Sequence, residues 1–152
     1  MTTRIGYAAG AFDLFHVGHL NLLRQARAHC DFLIAGVVSD ELLVASKGRP
    51  PVIPLAERLE IVRQIRYVDD AIAETLPHKI DTWRRRPFDI LFKGDDWRDT
   101  PKGLALELEF AAVGVEVVYF PYTMHTSSTS LRRTLELLNA GRQERATLQS
   151  LP

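Results

Sequence analysis

The chain is poor in the features that would tie it to several classes of function. It holds one cysteine, Cys30, in 152 residues, so no internal disulfide can form and a disulfide-stapled secreted scaffold is excluded. No apolar run approaches the roughly 20 residues of a spanning helix, and none has the layout of a signal peptide. Nineteen basic side chains against nineteen acidic ones leave no net charge, which argues against a nucleic-acid partner and against attachment to an anionic membrane. Any positive charge that matters must therefore be local. Neither GxxxxGK[ST] nor GxGxxG occurs, so the two commonest phosphate loops are missing. Internal repeats, low-complexity blocks and Pro/Ser/Gly-rich linkers are absent as well. What remains is the expectation of one soluble, cytoplasmic domain without membrane insertion, with 46% hydrophobic residues to build its core.

The segments RIGYAAGAF, DFLIAGVVS, AIAE, FDILFK and VEVVYFP are short, apolar and rich in valine, isoleucine and phenylalanine, as strands buried on both faces tend to be. Helical patterns lie between them: Leu20, Leu23 and Ala26, then Leu55, Leu59, Val62 and Ile65 behind Pro54. Five strands separated by helices need crossovers, so the reading is α/β, a mostly parallel five-stranded sheet with helices on both faces. Ligands of such sheets bind at the carboxyl ends of the strands. The stretch STSLRRTLELLNAG opens with capping hydroxyls, carries Leu131, Leu135 and Leu138 on one face, and is predicted to stop at Gly141. The expected domain covers residues 1–140, followed by a loosely held tail, 141–152.

GAFDLFHVGHLNLLRQAR sets His16 and His19 around Gly18 where the first strand gives way to a helix. A helix N-terminus offers unpaired N–H groups and partial positive charge, an unfavourable place for imidazolium unless an anion is near. Gly18 lets a ligand approach the backbone closely. One such histidine is ordinarily a satisfied core or surface group, but two at this spacing favour a phosphate. Zinc, the other reading of paired histidines, takes three or four protein ligands, and no further His/Cys cluster stands at suitable spacing.

GAFDLFHVGH resembles the GTFDxxHxGH signature of the HxGH nucleotidyltransferases. From Ile5 to about Leu138 the chain is similar to the glycerol-3-phosphate cytidylyltransferases within them, with the later blocks IRYVDD, FKGDDW and TSSTS in the same order. HxGH alone also occurs in class I aminoacyl-tRNA synthetases, which are much longer and carry RNA-binding parts. The resemblance implies a Rossmann-like three-layer α/β/α fold, a homodimer, and transfer of CMP from CTP to a small phosphorylated acceptor with Mg²⁺. It assigns nucleotide contacts to Ala11, Phe12, His16, Val17, Gly18, His19 and Arg49, and to Asp95 and Asp96. It also assigns them to the run from Tyr122 through Thr123, Met124, His125, Thr126, Ser127 and Ser128 to Thr129. Lys47, Lys79 and Arg66 fall to the acceptor and its surroundings, and His16, His19 and Lys47 to catalysis.

Several of these residues have a plainer reading beside the functional one. Lys47 and Arg49 flank a glycine in KGRPP, a basic loop of a kind that is usually only solvated. Arg66 and Asp69 could be a structural ion pair closing the turn. The acids of FKGDDW are costly to bury without partners, and could accept from ribose hydroxyls or a base amino group, while Trp97 could be packing. Asp13 either orients its loop or helps hold Mg²⁺ through water. The hydroxyl run Thr126 to Thr129 supplies donors at a second helix N-terminus, although N-capping alone needs only one of them.

One block departs from the family. Where RTxGIST is usual the chain reads YTMHTSST, so Tyr122 replaces an arginine that reaches the triphosphate and His125 a glycine. A phenol cannot supply a cationic fork. Arg132 or Arg133, a turn beyond the hydroxyls, is expected to carry that charge. The alternatives are an adenylyl- or guanylyltransferase acting on a sugar phosphate or other phosphorylated acceptor, and a non-catalytic nucleotide-binding regulator.

Overall fold

A computed structural model of the chain describes residues 2–122 and 125–150. Its centre is a five-stranded sheet in the order β3-β2-β1-β4-β5. The strands are β1 (Ile5–Gly10), β2 (Phe32–Val38), β3 (Asp70–Glu74), β4 (Ile90–Gly94) and β5 (Glu116–Phe120). Every pairing is parallel, with Tyr7 opposite Ile34 on one side and Leu91 on the other. The helices are α1 (Val17–Ala28), α2 (Asp40–Lys47), α3 (Leu55–Arg63), α4 (Lys79–Arg85), α5 (Pro101–Ala111) and α6 (Ser128–Gln149).

The alternation of side chains along each strand divides the core in two. Ala8, Leu33, Ala35, Val37, Ile90 and Phe92 pack under Leu23 and Ala26 of α1 and Val62 of α3. Tyr7, Ile34 and Leu91 face the other way, against Phe110 of α5 and Ile80 and Trp83 of α4. Both faces of the sheet are thus covered, as the continuous apolar runs require. Because β1 leads to β2 on one side while β4 lies on the other, the chain reverses its winding between β1 and β4. A crevice opens at the carboxyl ends of strands at such a point.

Three local features differ from the sequence reading. α5 was not anticipated; Pro101 occupies its first turn and Thr100 caps it, the hydroxyl accepting from Gly103 N–H. Pro54 is the N-cap of α3 and not a residue of its first turn. α6 does not stop at Gly141 but continues to Gln149. A glycine inside a helix costs about 1 kcal/mol relative to alanine, which the hydrogen bonds of the long flanking segments offset. None of the described side chains of α6 is buried, so beyond its first turns this helix stands off the core.

Gly36 of β2 sits under the Tyr7 ring, and a Cβ there would lie 1.9 Å from the Tyr7 hydroxyl. Tyr7 is fully buried and donates to Glu74 Oε1 at 2.8 Å, so it has nowhere to yield. Gly36→Ala is therefore expected to cost about 1–3 kcal/mol, the usual range for overpacking, and to lower Tm by about 2–4 °C for each of those kcal/mol. Thermal unfolding checks this, and an unchanged Tm would show that the ring has room to move.

Candidate active site

The crevice is a cleft of about 580 Å³ lined by the ends of β1, β4 and β5, the first turn of α1, the loop after α2 and the start of α6. That volume suits a nucleotide-sized ligand.

The turn from β1 into α1 is held under backbone strain. Phe12 and Leu14 both have φ of 51°, a left-handed conformation that costs a non-glycine residue on the order of 1 kcal/mol. Asp13 between them pins the turn. Its side chain is 1% exposed and accepts from Val52 N–H at 2.8 Å, from Ile53 N–H at 2.9 Å and from Arg132 at 3.0 Å. Burial alone would raise its pKa, but the two backbone donors and the guanidinium outweigh it and hold the carboxyl below the usual range. Of the two readings of Asp13, loop orientation is the one its geometry supports. Both oxygens accept hydrogen bonds that fix the turn, and the side chain is enclosed.

Arg58 completes this scaffold. The side chain is 1% exposed and donates to the carbonyls of Ile53, Ala11 and Val38 and to the Asp40 carboxylate. It was not singled out from the sequence, yet a signal was there, since Arg58 falls on the same helical face as Leu55, Leu59 and Val62. A charge inside an apolar stripe must find partners.

The two histidines cap α1 reciprocally. His16 is the N-cap and its Nδ1 accepts from Gly18 N–H at 3.0 Å, while His19 Nδ1 accepts from His16 N–H at 3.3 Å. The ring centroids lie 4.0 Å apart. With each Nδ1 accepting, the proton of the neutral ring belongs on Nε2. Burial lowers the pKa of His16, and burial with the nearby His16 and Lys47 lowers that of His19 to about 4. At neutral pH the pair is thus uncharged, and both rings present an N–H donor to the cleft, His19 Nε2 lying 3.5 Å from Ser128 Oγ.

A second helix N-terminus meets the first. Ser127 caps α6 by accepting from Ser130 N–H, and Ser128 Oγ donates to the Asp13 carbonyl at 2.7 Å. Thr126, Ser127, Ser128 and Thr129 all line the cleft, as do Lys47, Arg49 and Arg132. Lys47 ends α2 and Gly48 caps it at φ 73°, so the chain turns sharply and Arg49 comes to the cleft beside it. Arg132 reaches inward while Arg133 is exposed. The Arg132 Nε is buried without a partner, while its guanidinium also bonds Asp13.

The remaining anticipated residues divide. Ala11, Phe12, Gly18, Asp96 and Tyr122 line the cleft. The Tyr122 hydroxyl donates to Asp96 Oδ1 at 2.9 Å, and burial followed by the Asp96 carboxylate raises the phenol to about 12. Val17, Asp95 and His125 are exposed and do not line the cleft. Thr123 and Met124 lie outside the described residues. Arg66 is exposed and is not paired with Asp69, which instead binds Arg27 at 3.1 Å and accepts from Leu33 N–H. Asp69 Oδ2 is turned to the start of β2 and to Arg27, so the expected ion pair with Arg66 is replaced by one with Arg27. Lys79 also stands off the cleft lining, its ammonium 3.3 Å from Glu74. Among the described residues no group of three or more histidine, cysteine, aspartate or glutamate side chains could hold a metal. No helix is long and apolar enough to cross a membrane among those residues either.

Comparison with known proteins agrees with this geometry. Ethanolamine-phosphate cytidylyltransferase of Arabidopsis thaliana is 44% identical over 103 residues, covering 64% of this chain and 24% of that one. FAD synthase of Pyrococcus horikoshii is 33% identical over 128 residues, 84% of this chain and 86% of that one. The chain thus spans about a quarter of the first relative's length and most of the second's. Among solved structures, the lipopolysaccharide core biosynthesis protein of Thermoplasma volcanium GSS1 superposes with a TM-score of 0.68 at 22% identity, covering 82% of this chain and all of its own. Pantoate-beta-alanine ligase of Francisella tularensis gives 0.64 at 11% identity over 86% of this chain and 65% of its own. At those identities the likeness is one of fold. The profile of the cytidylyltransferase-like family matches residues 7–134, from the buried Tyr7 through the paired histidines and the α6 hydroxyl turn; the chain belongs to that family of nucleotidyltransferases.

Proposed function

We propose that the protein transfers CMP from CTP to a small phosphorylated acceptor, glycerol 3-phosphate by the resemblance of its four sequence blocks, giving CDP-glycerol and pyrophosphate. The observation that carries the transferase reading is the convergence of two helix N-termini, two Nε2–H donors and the cations Lys47, Arg49 and Arg132 on one cleft. In the reaction an oxygen of the acceptor phosphate forms a bond to the α-phosphorus. The bond from that phosphorus to the bridging oxygen breaks, and pyrophosphate leaves with the electron pair. A phosphomonoester, with a second pKa of about 6, is ionised at neutral pH, so no general base is needed. Catalysis is then positioning and neutralisation of developing charge. His16 and His19 donate to the triphosphate, the hydroxyl turn and Arg132 hold its far end, and Lys47 faces the acceptor. Arg49, Asp96 and Tyr122 border the nucleoside. The chain builds no metal site of its own among the described residues, so Mg²⁺ belongs to this reading only as a companion of the triphosphate, and no step here is derived through it.

A second reading, adenylyl transfer to another phosphorylated acceptor, is favoured by the FAD synthases, which match most of their length and whose named product is an adenine dinucleotide. Pyrophosphate release with CTP, ATP and GTP against a panel of phosphorylated acceptors separates the two. The expected result is turnover with CTP and glycerol 3-phosphate; faster turnover with ATP on every acceptor would replace the first reading by the second. The reading includes a homodimer, for which light scattering should give twice the 17.2 kDa chain mass.

The histidines have two duties, and one substitution separates them. Asparagine is a good N-cap, so His16→Asn should keep the α1 cap and stability while lowering kcat by on the order of 10²-fold, as loss of a preorganised donor does. His19→Ala should lose as much kcat and also some stability. If His16→Asn turned over normally, the ring would be a cap and nothing more.

Arg132 and Arg133 provide a matched pair. Arg132→Ala should raise nucleotide KM by tenfold or more, and should cost about 3 kcal/mol of stability because it strips a buried carboxylate of its cation. Arg133→Ala should leave both unchanged. Wild-type nucleotide KM in Arg132→Ala would show that Arg132 serves Asp13 alone, and a gain in CTP turnover in Tyr122→Arg would show that the cleft lacks the cation lost there.

A further inference from the structure

α5 is apolar on two sides. Its inner side carries the buried Gly103 and Phe110, with Leu106 packed against the same half of the core. At about 100° of turn per residue, Pro101, Leu104, Leu108, Ala111 and Ala112 fall within an arc of about 100° on the other side. All five are exposed. Leu104 keeps 51% of its surface and Leu108 73%, the largest exposure of any bulky apolar side chain among the described residues. A helix lying on a sheet ordinarily turns charged and polar groups to the solvent at such positions, and an apolar helix face left in water marks a surface that is covered by something else.

The charges beside this face say what covers it. Lys102 and Glu109 are seven residues apart, so they stand on one flank within about 20° of each other but about two turns apart along the axis, too far to pair. The positions where each would find a partner on its own helix hold Ala105, Leu106, Ala112 and Val113. Both are exposed, and neither meets an opposite charge among the described residues; Lys102 has only the Trp97 ring, at 5.9 Å. Glu107, on the other flank, is half-buried and turned toward Tyr119, whose phenol is raised to about 12 by burial and then by that carboxylate. One lysine against acids on both flanks does not suit an anionic bilayer, which favours cations along an apolar face. A cation near the start of the helix and an anion near its end, on one flank, are the complement of the same helix running the other way.

We propose that the outer face of α5 is where two copies of the chain meet, α5 packing antiparallel on α5 about a two-fold axis level with Leu106. Under that symmetry Leu104 lies opposite Leu108 of the second copy and Pro101 opposite its Ala111, each contact occurring twice. Lys102 comes level with Glu109 of the second copy, at the flanking positions where charges pair across packed helices. Pro101, Ala111 and Ala112 are small and let the two helices approach closely. A single helix pair makes a surface at the small end of specific interfaces, so the dimer should come apart on dilution. The proposal deepens the homodimer reading given above, which by itself names no surface, and is independent of the identity of the nucleotide.

Sedimentation equilibrium over a series of protein concentrations tests this. The wild-type chain should pass from monomer to dimer, and Leu108→Glu should remain monomeric throughout, with unchanged Tm because the side chain is exposed. Lys102→Glu and Glu109→Lys should each raise the dimer Kd by about fivefold or more, since each removes two symmetry-related pairs and sets like charges together. Neither change can act by melting α5, because an acid near the start of a helix and a base near its end both favour it. The double variant Lys102→Glu/Glu109→Lys keeps the wild-type net charge and should return Kd to within about twofold of wild type. A dimer that survives Leu108→Glu, or a double variant no tighter than the single ones, overturns the proposal while the homodimer reading stands on another surface. A wild-type monomer at the highest soluble concentration overturns both and leaves the face to a different protein. Pyrophosphate release, measured separately, decides the transferase reading whatever the mass.

Discussion

The buried carboxylate of Asp13 is the constraint on which the cleft depends. It sits in a turn that holds two non-glycine residues, Phe12 and Leu14, in left-handed conformations, and an unpinned turn would relax out of them. The side chain takes N–H groups from Val52 and Ile53 and the guanidinium of Arg132, while its carbonyl takes the Ser128 hydroxyl. One residue thus ties together the β1–α1 turn, the proline-rich loop before α3 and the first turns of α6. Arg58 repeats the logic with the opposite charge, binding three carbonyls and Asp40 from within the core. Loops fixed by buried ions with full sets of partners are rigid, because any displacement strands a desolvated charge.

That rigidity sets donors around the cleft with little fixed positive charge near its centre, as the proposed transfer of a nucleotidyl group requires. His16 and His19 spend their Nδ1 atoms on the α1 N-terminus and, kept neutral by burial, are left with one donor each. Neutral donors aimed by a helix end avoid the repulsion that two imidazolium groups would suffer at 4.0 Å. The full charges, Lys47, Arg49 and Arg132, come from other elements around the rim. Preorganised donors of this kind need no reorganisation when charge develops on a phosphoryl group.

The element order was legible because strands buried on both faces must be apolar throughout, and the apolar runs in this chain are short and regularly spaced. α5 was harder to see: PKGLALELEFA mixes apolar and acidic residues without a clean stripe, and Phe110 is its large buried side chain. Gly141 misled because glycine after a leucine-rich helix usually ends it, whereas here it is an interior residue of a helix that lies largely in solvent. In the site, the histidines, the hydroxyl turn and the basic loop were readable from motif and spacing. The partnership of Asp69 with Arg27, 42 residues away, was not, nor was the apolar-face position of Arg58 recognised as a signal.

By itself the sequence determined the class of the protein. The parallel sheet follows from its apolar runs, the helix-capping turn at the cleft from two histidines around Gly18, and the family from its ordered blocks. Tertiary structure decided how the charges are used. Arg132 and Arg133 are neighbours in sequence but point about 100° apart around α6, and only the docking of that helix against Asp13 selects the first. The neutrality of His19 is likewise a product of packing, because desolvation depends on what surrounds a group in space and not on its neighbours along the chain.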